Sequence, residues 1–387
     1  MSAGAGAGAA AAAGAAAAAG AGAAAGPDKC AAAGASAGTT MRADASQLRT
    51  LQRLQAIMRA QPGRSTEMEN LLERWLMAMA NYAIAHPAGD GFSLFSWVDD
   101  EDDNEDEDEN EAAPALEFNQ KLCSELIEKG AAGNPPAAVA VFSKLLAAAR
   151  GPARGAADGE QVVACADGEL VYAEIHPAFE FRRPVDAAAE KLLRIGGCAA
   201  TIAAALRYAL LAPGGQQWGL PQRHVDELYA EYGVRNEAFA SPFNSRLVGK
   251  PDARFCSLFL DTDTVFGSLG SFFALERLPP GNWVVNPPFI VDLLDRAADK
   301  CIRHLDEGAD ESLTFYFIMP AWTDCAAYTA LHQSRYRRAE LHLRPGRYVY
   351  EAPDGTVVHT RAASIYFALS RSAHGKFAKA LHTMLRR

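Results

Sequence analysis

The chain has 387 residues and a formal net charge of −10. Length leaves room for two or three domains, and no run reads as long and apolar enough to cross a bilayer. Eleven carboxylates between residues 99 and 111 carry the acidity; subtracting them from −10 leaves +1, so the balance does not exclude a nucleic-acid substrate. Seven cysteines (Cys30, Cys123, Cys165, Cys198, Cys256, Cys301, Cys325) show no paired spacing, which argues against a disulfide framework or a zinc site.

Residues 1–40 are expected to be a disordered tail, because Ala and Gly alone leave nothing to bury. Leu48, Leu51, Leu54 and Met58 predict a helix over 46–60. A Thr66-x-x-Glu69 capping box opens another, with Leu71, Leu72, Trp75, Leu76 and Met79 on one face. Trp75 and Trp97 have a spacing that suggests a WW domain, but Trp75 falls within a helix and no proline follows Trp97 suitably, so none is expected. The run at 99–111 reads as a solvated loop. Helices follow over 116–129 and 137–149, then a hairpin over 161–166 and 169–175 turning at Asp167-Gly168. Helices at 186–195 and 199–211 complete a mainly helical domain over 41–215.

From residue 216 to 387 strands alternate with helices, which predicts a mostly parallel, doubly wound α/β sheet. Strands are expected at 234–240, 255–260, 283–285, 313–319, 338–343 and 363–369. A hairpin over 348–359 is expected to supply an antiparallel edge.

Asn286-Pro287-Pro288-Phe289 ends one of these strands before a helical pattern over 291–305. The prolines stiffen the loop and extend the residues before them. Loops at the carboxyl ends of such strands hold ligands. Asn286 Oδ1 and the Pro287 carbonyl can accept from the two hydrogens of an amino group on a conjugated ring, and Phe289 offers a stacking face. That is the chemistry of amine methylation. Trp322, after another strand, can stack on a base or belong to the core. Arg335, Tyr336, Arg337 and Arg338 form the densest basic cluster, suited to phosphate and base, or else a solvated loop. No histidine spacing suggests a metal.

Further motifs accompany this loop: Trp218-Gly219-Leu220-Pro221, Glu237-Ala238-Phe239-Ala240-Ser241-Pro242-Phe243-Asn244, Asp261-Thr262-Asp263, Phe266-Gly267-Ser268, Phe317-Ile318-Met319-Pro320-Ala321-Trp322 and Gln333-Ser334-Arg335-Tyr336-Arg337-Arg338. Together they resemble the phosphorylated-CTD-interacting factor family of cap-specific mRNA adenosine N6-methyltransferases, over roughly residues 190–370. The resemblance implies a Rossmann-like methyltransferase domain beside a helical domain, S-adenosylmethionine as cofactor, and N6-methylation of 2′-O-methyladenosine next to the 7-methylguanosine cap. It implies cofactor contacts from Glu237, Phe239, Ser241, Asn244, Gly267 and Asn286, with Asp261 or Asp263 on the ribose or in a turn. Capped mRNA is the expected partner, without a membrane and as a monomer, in the nucleus or alternatively the cytoplasm. Association with RNA polymerase II is a weak expectation without a WW domain. Methylation of DNA or uncapped RNA, and a non-catalytic binding factor, are the competing readings.

Overall fold

In the computed structural model of the chain, residues 35–62, 65–85, 113–149, 162–166, 169–175, 179–211, 217–308, 312–360 and 362–384 are described. The tail to residue 34, the acidic run, the hairpin turn at 167–168 and the capping-box side chains lie outside them.

The N-terminal part packs α1 (Ala35–Arg59), α2 (Ser65–Ala85), α3 (Ala113–Glu128) and α4 (Pro135–Ala149) around one core. The i, i+3, i+4 stripe of α1 is buried at Leu48, Leu51, Leu54 and Met58. Trp75 of α2 meets Phe142 of α4 edge-on at 6.4 Å. Helix α1 begins within the stretch expected to be tail. The hairpin forms as β1 (Val162–Ala166) and β2 (Leu170–Ile175), and an unexpected third strand, β3 (Phe179–Pro184), pairs antiparallel with β2.

Helix α5 (Ala187–Ala209) is one element where two were expected, kinked at Gly197 with φ +73° and ψ −176°. Asp186 caps it, accepting from Ala189 N at 2.8 Å. By length and composition this helix could cross a membrane, which corrects the expectation that no run could; more than half of the qualifying window is buried against the protein. It serves as a core helix between the two halves, touching α1 on one side and the sheet region on the other.

The remaining elements are α6 (Gln222–Tyr232), β4 (Val234–Glu237), β5 (Arg254–Phe255), α7 (Leu260–Asp263), β6 (Asn282–Val285), α8 (Val291–Glu307), β7 (Thr314–Pro320), α9 (Ala326–Gln333), β8 (Arg337–Leu343), β9 (Val349–Glu351), β10 (Val357–His359), β11 (Ser364–Ser370) and α10 (Phe377–Thr383). Six strands form a mixed, mainly parallel central sheet in the order β5-β4-β6-β7-β11-β8. The pairs of β4 with β5, β4 with β6, and β6 with β7 are parallel. Every residue of β7 and β11 is buried, as their continuous apolar runs require in a sheet covered on both faces.

Two expectations are corrected. The antiparallel element is β11, not the 348–359 hairpin, and it lies inside the sheet, paired to both β7 and β8. Among the described residues the hairpin β9–β10 pairs with itself and with Gly219. The strand expected at 255–260 stops at Phe255, and Leu260–Asp263 turn into a short helix.

From β4 the chain passes to β5 on one side of it, and β6 then returns to the other side. The order of strands therefore reverses between β4 and β6. In open α/β sheets the carboxyl ends at such a reversal border the ligand crevice.

Candidate active site at the ends of β4 and β6

Both strand ends carry motif residues. After β6, Pro287 is buried and Ile290 N donates to Pro288 O at 2.7 Å, a tight turn that delivers the chain into α8. Asn286 Nδ2 donates to the Trp218 carbonyl at 3.4 Å, which fixes the amide with Oδ1 as the remaining acceptor. Asn286 Oδ1 is shielded from solvent and has no hydrogen-bond partner among the described residues. An unsatisfied buried acceptor costs about 1–3 kcal/mol, which makes this oxygen the side-chain atom at the strand end with an acceptor position to offer.

On one side of Asn286 a cleft is lined by Trp218, Glu237, Phe239, Asn244, Ser257, Phe272 and Phe273, with Tyr208 and Met77 behind. Glu237 ends β4 and is buried; Ser245 Oγ donates to its Oε2 at 2.8 Å. Burial pushes its carboxyl up to about 7, against the opposing pull of Ser245, Arg246 and Lys191. Phe239 packs against Phe272 and Phe273 at 5.3 and 5.5 Å between centroids. Lys300 of α8 holds this wall, donating to Phe273 O at 3.0 Å and to Leu275 O. A buried carboxylate facing aromatic rings suits a ligand that joins a cation to a flat ring. The cleft is narrow, 60 Å3, so a nucleoside-sized ligand needs its lining rings to part.

On the other side lies a wider cavity of 600 Å3, lined by Trp218, Asn286, Pro287, Pro288 and Phe289, by Tyr348, Tyr350, His359 and Thr360 of the hairpin region, and by Glu73 and Arg74 of α2. Phe289 stands edge-on to Tyr350 at 6.3 Å and to Trp322 at 6.5 Å. Trp322, just past β7, is 38% exposed. Asn286 borders both cavities.

The structure thus brings together Glu237, Phe239, Asn244, Asn286, Pro288 and Phe289, with Pro287 and Trp322 adjoining. Ser241 stands one step back: its amide donates to Asn244 Oδ1 at 2.6 Å and its hydroxyl to Gln217 Oε1 at 2.9 Å. The expected ribose carboxylates are placed elsewhere. Asp261 is 51% exposed and pairs with Arg207, while Asp263 is fully buried and accepts from Tyr208 Oη at 2.7 Å. Gly267 caps a 3-10 turn with φ +96°.

The basic cluster is corrected by strand direction. Arg337 starts β8 and aligns with Leu369 of β11, at the end of the sheet opposite Ser364 and Pro320. Val285 is level with Phe317 and, through Phe367, with Glu340, so Asn286 stands about four residues, ~13 Å, further along the strands than Arg337, and β8 is three strands from β6 across the sheet. The cluster's members are also engaged: Arg335 and Tyr336 with Asp306, Arg337 with Glu340, and Arg338 with the carbonyls of Arg371 and Ser372. Sequence reasoning missed Trp218, Tyr348, Tyr350, Glu73 and Arg74. The exposed Trp218 in a cited motif was the one available signal. Those on α2 and the hairpin join the site only through tertiary packing.

A family model described as "Phosphorylated CTD interacting factor 1 WW domain" matches residues 198–352. That match corrects the expectation that the family's WW domain is missing, which rested on Trp75 and Trp97, both outside the matched region. In this structure the matched residues run from within α5 to the end of β9. Two curated proteins, from human and mouse, each named mRNA (2′-O-methyladenosine-N(6)-)-methyltransferase, are 34% identical to this chain over 140 residues. The alignment covers 36% of this chain and 19% of each relative, so the chain matches about a fifth of their length.

Proposed function

We propose that the chain transfers a methyl group from S-adenosylmethionine to N6 of an adenosine in RNA, the acceptor being the 2′-O-methyladenosine beside the 7-methylguanosine cap. The names of the human and mouse relatives support the reaction. The observation that carries it is Asn286 Oδ1, an unpartnered acceptor between two cavities. We read the sheet as Rossmann-like on its strand reversal and single inserted antiparallel strand.

When bound, S-adenosylmethionine would supply a methyl group from its cationic sulfur, the sulfur–methyl bond breaking as the nitrogen is methylated and a neutral thioether being left. The narrow cleft fits its chemistry: Glu237 would face positive charge, and Phe239, Phe272 and Phe273 would pack on the adenine. The wide cavity holds the acceptor base, with Phe289 as its stacking face. Asn286 Oδ1 and the Pro287 carbonyl accept from the two amino hydrogens and draw the nitrogen toward tetrahedral geometry, freeing its lone pair from the ring. As the new N–C bond forms, one amino proton is shed toward these acceptors and on to water. No strong general base is needed, because the nitrogen becomes acidic once alkylated.

The helical part contributes Glu73 and Arg74 to the acceptor cavity, which fits a substrate whose ends lie against both halves. The family model's description supports contact with the phosphorylated polymerase tail, and a nuclear location would follow from both. Tritiated methyl transfer to matched capped RNA, uncapped RNA and DNA oligonucleotides tests the reading. Capped RNA beginning with 2′-O-methyladenosine should be methylated best and a first-position guanosine not at all. Equal methylation of internal or duplex adenines would replace the cap-adjacent reading with a general adenine methylase, and transfer to none of them would favour a binding factor.

A further inference from the structure

Asn286 can present Oδ1 only while its Nδ2 is held by the Trp218 carbonyl. At 3.4 Å that contact is near the outer limit of hydrogen-bond geometry, so a further few tenths of an ångström would end it. The position of the segment Gln217–Pro221 therefore decides which way the amide faces.

That segment is fastened at two points. Gln217 is tied to the β4 loop through Ser241 and Asn244. Gly219 forms a two-bond antiparallel bridge with Glu351, at 3.0 and 2.9 Å, the last residue of β9. The Glu351 side chain adds two more ties. Its Oε2 accepts from Gln222 N at 3.3 Å, in the first turn of α6, whose own N-cap Pro221 makes no side-chain hydrogen bond to the helix. Its Oε1 pairs at 3.2 Å with Arg246, which is 6% exposed and also donates to Leu220 O, Glu351 O and Ala352 O. One carboxylate thus locks the segment, the cofactor-side loop and the hairpin that walls the acceptor cavity.

We propose that Glu351 is a positioning residue for the amine acceptor: it seats Trp218 so that the Asn286 amide keeps Oδ1 toward the substrate cavity. The role rests on the methyl-transfer reading for its purpose, but the geometry can be tested without turnover. The two cavities then do not act independently, since a shift of the hairpin reaches Asn286 through Glu351, Gly219 and Trp218.

The test uses the full chain labelled with 15N-asparagine. The Asn286 side-chain amide signal is assigned by its loss in Asn286→Ala. In Glu351→Ala that amide should exchange with solvent about tenfold faster than in the parent, with Glu351→Gln between them because its oxygen still accepts from Gln222 N. Unchanged exchange in a folded Glu351→Ala would overturn the proposal. Where the parent transfers methyl groups, Glu351→Ala should lower kcat about tenfold to a hundredfold with cofactor affinity retained. It should cause little further loss in the Asn286→Ala background, as residues acting through one group are not additive. Fully additive losses would show a general structural effect and count against it. A parent without turnover would instead refute the methyl-transfer reading, leaving the exchange measurement to decide the role of Glu351.

Discussion

Arg207 Nε donates to both carboxylate oxygens of Asp44, at 2.8 and 2.9 Å, joining the core helix α5 to α1 where both side chains are fully buried or nearly so. The other nitrogens of the same guanidinium reach Asp261 at 3.2 and 3.0 Å. Burial still outweighs this pairing at Asp44, whose carboxyl is pushed up to about 6.

Removing Asp44 should therefore cost far more than removing Asp261. Asp44→Ala takes from the 2% exposed Arg207 charge its buried carboxylate, for a loss of about 3 kcal/mol. Asp261→Ala removes a pair open to solvent and should cost under about 1 kcal/mol. Urea unfolding at neutral pH measures both, and equal losses would contradict this picture of the interface.

Asn286→Ala should slow methyl transfer by about 100- to 1000-fold, the effect of losing one oriented electrostatic group at a reacting centre. Cofactor binding should stay within a few-fold, since the proposed role of Oδ1 is at the acceptor amine. Single-turnover rates alongside calorimetric cofactor titration separate the two. Retained turnover would reduce the loop to a strand-ending turn.

Stability should fall as pH rises from about 5 toward 7.5. The Glu237 carboxyl lies at about 7 in the fold against an ordinary 4.5, so between those values the folded chain holds a proton the unfolded chain has released. Its stabilising contribution is complete below the ordinary value and is lost as pH passes through the raised one. Asp44 and Asp263, pushed to about 6 by burial, act in the same direction. Glu237→Gln should flatten the thermal-stability profile between about pH 6 and 7 and lessen the slope between 4.5 and 6, where Asp44 and Asp263 still contribute. An unaltered profile would mean that Glu237 is ionised in the fold.

The two glycines of the α5 kink are expected to resist alanine for different reasons. Gly197 has φ +73° and ψ −176°, a conformation essentially reserved for glycine, so strain should cost roughly 1–3 kcal/mol. At Gly196 the added methyl would meet Phe266 Cε1 at 2.7 Å, a packing clash rather than a strained backbone. Phe266→Leu should partly rescue Gly196→Ala in thermal unfolding and leave Gly197→Ala unrescued.

Much of the sheet was legible because its strands are apolar runs punctuated by Pro, Gly and Asp. Val285 followed by Asn286-Pro287 reads directly as a strand end, and the helix after it follows from its periodicity. What periodicity does not carry is which strands become neighbours. The 348–359 hairpin and the 364–370 strand both read as strands in sequence; only the burial of both faces of the latter, Ile365, Phe367 and Leu369 on one and Tyr366 and Ala368 on the other, places it inside the sheet. The Arg335–Arg338 cluster misled because charge density was read without strand polarity. It precedes its strand, whereas Asn286 and Trp322 follow theirs, and in parallel strands those are opposite ends. Glu73 and Arg74 were illegible as site residues, since on a helix they resemble any charged pair beside a core.

The position of β11 also sets an order of events during synthesis. Strand β7 leaves the ribosome with β6 already available on one edge, but its other edge and the edge of β8 that pairs with β11 wait for residues 364–370, the last-made strand of the six. Until then the apolar β7 and the charged β8 both offer unpaired backbone, the state most prone to pair with another chain. A nascent chain stalled after β10 would keep its helical half foldable yet expose half of its sheet. Translation through the final stretch, rather than the earlier motifs, is where that exposure ends.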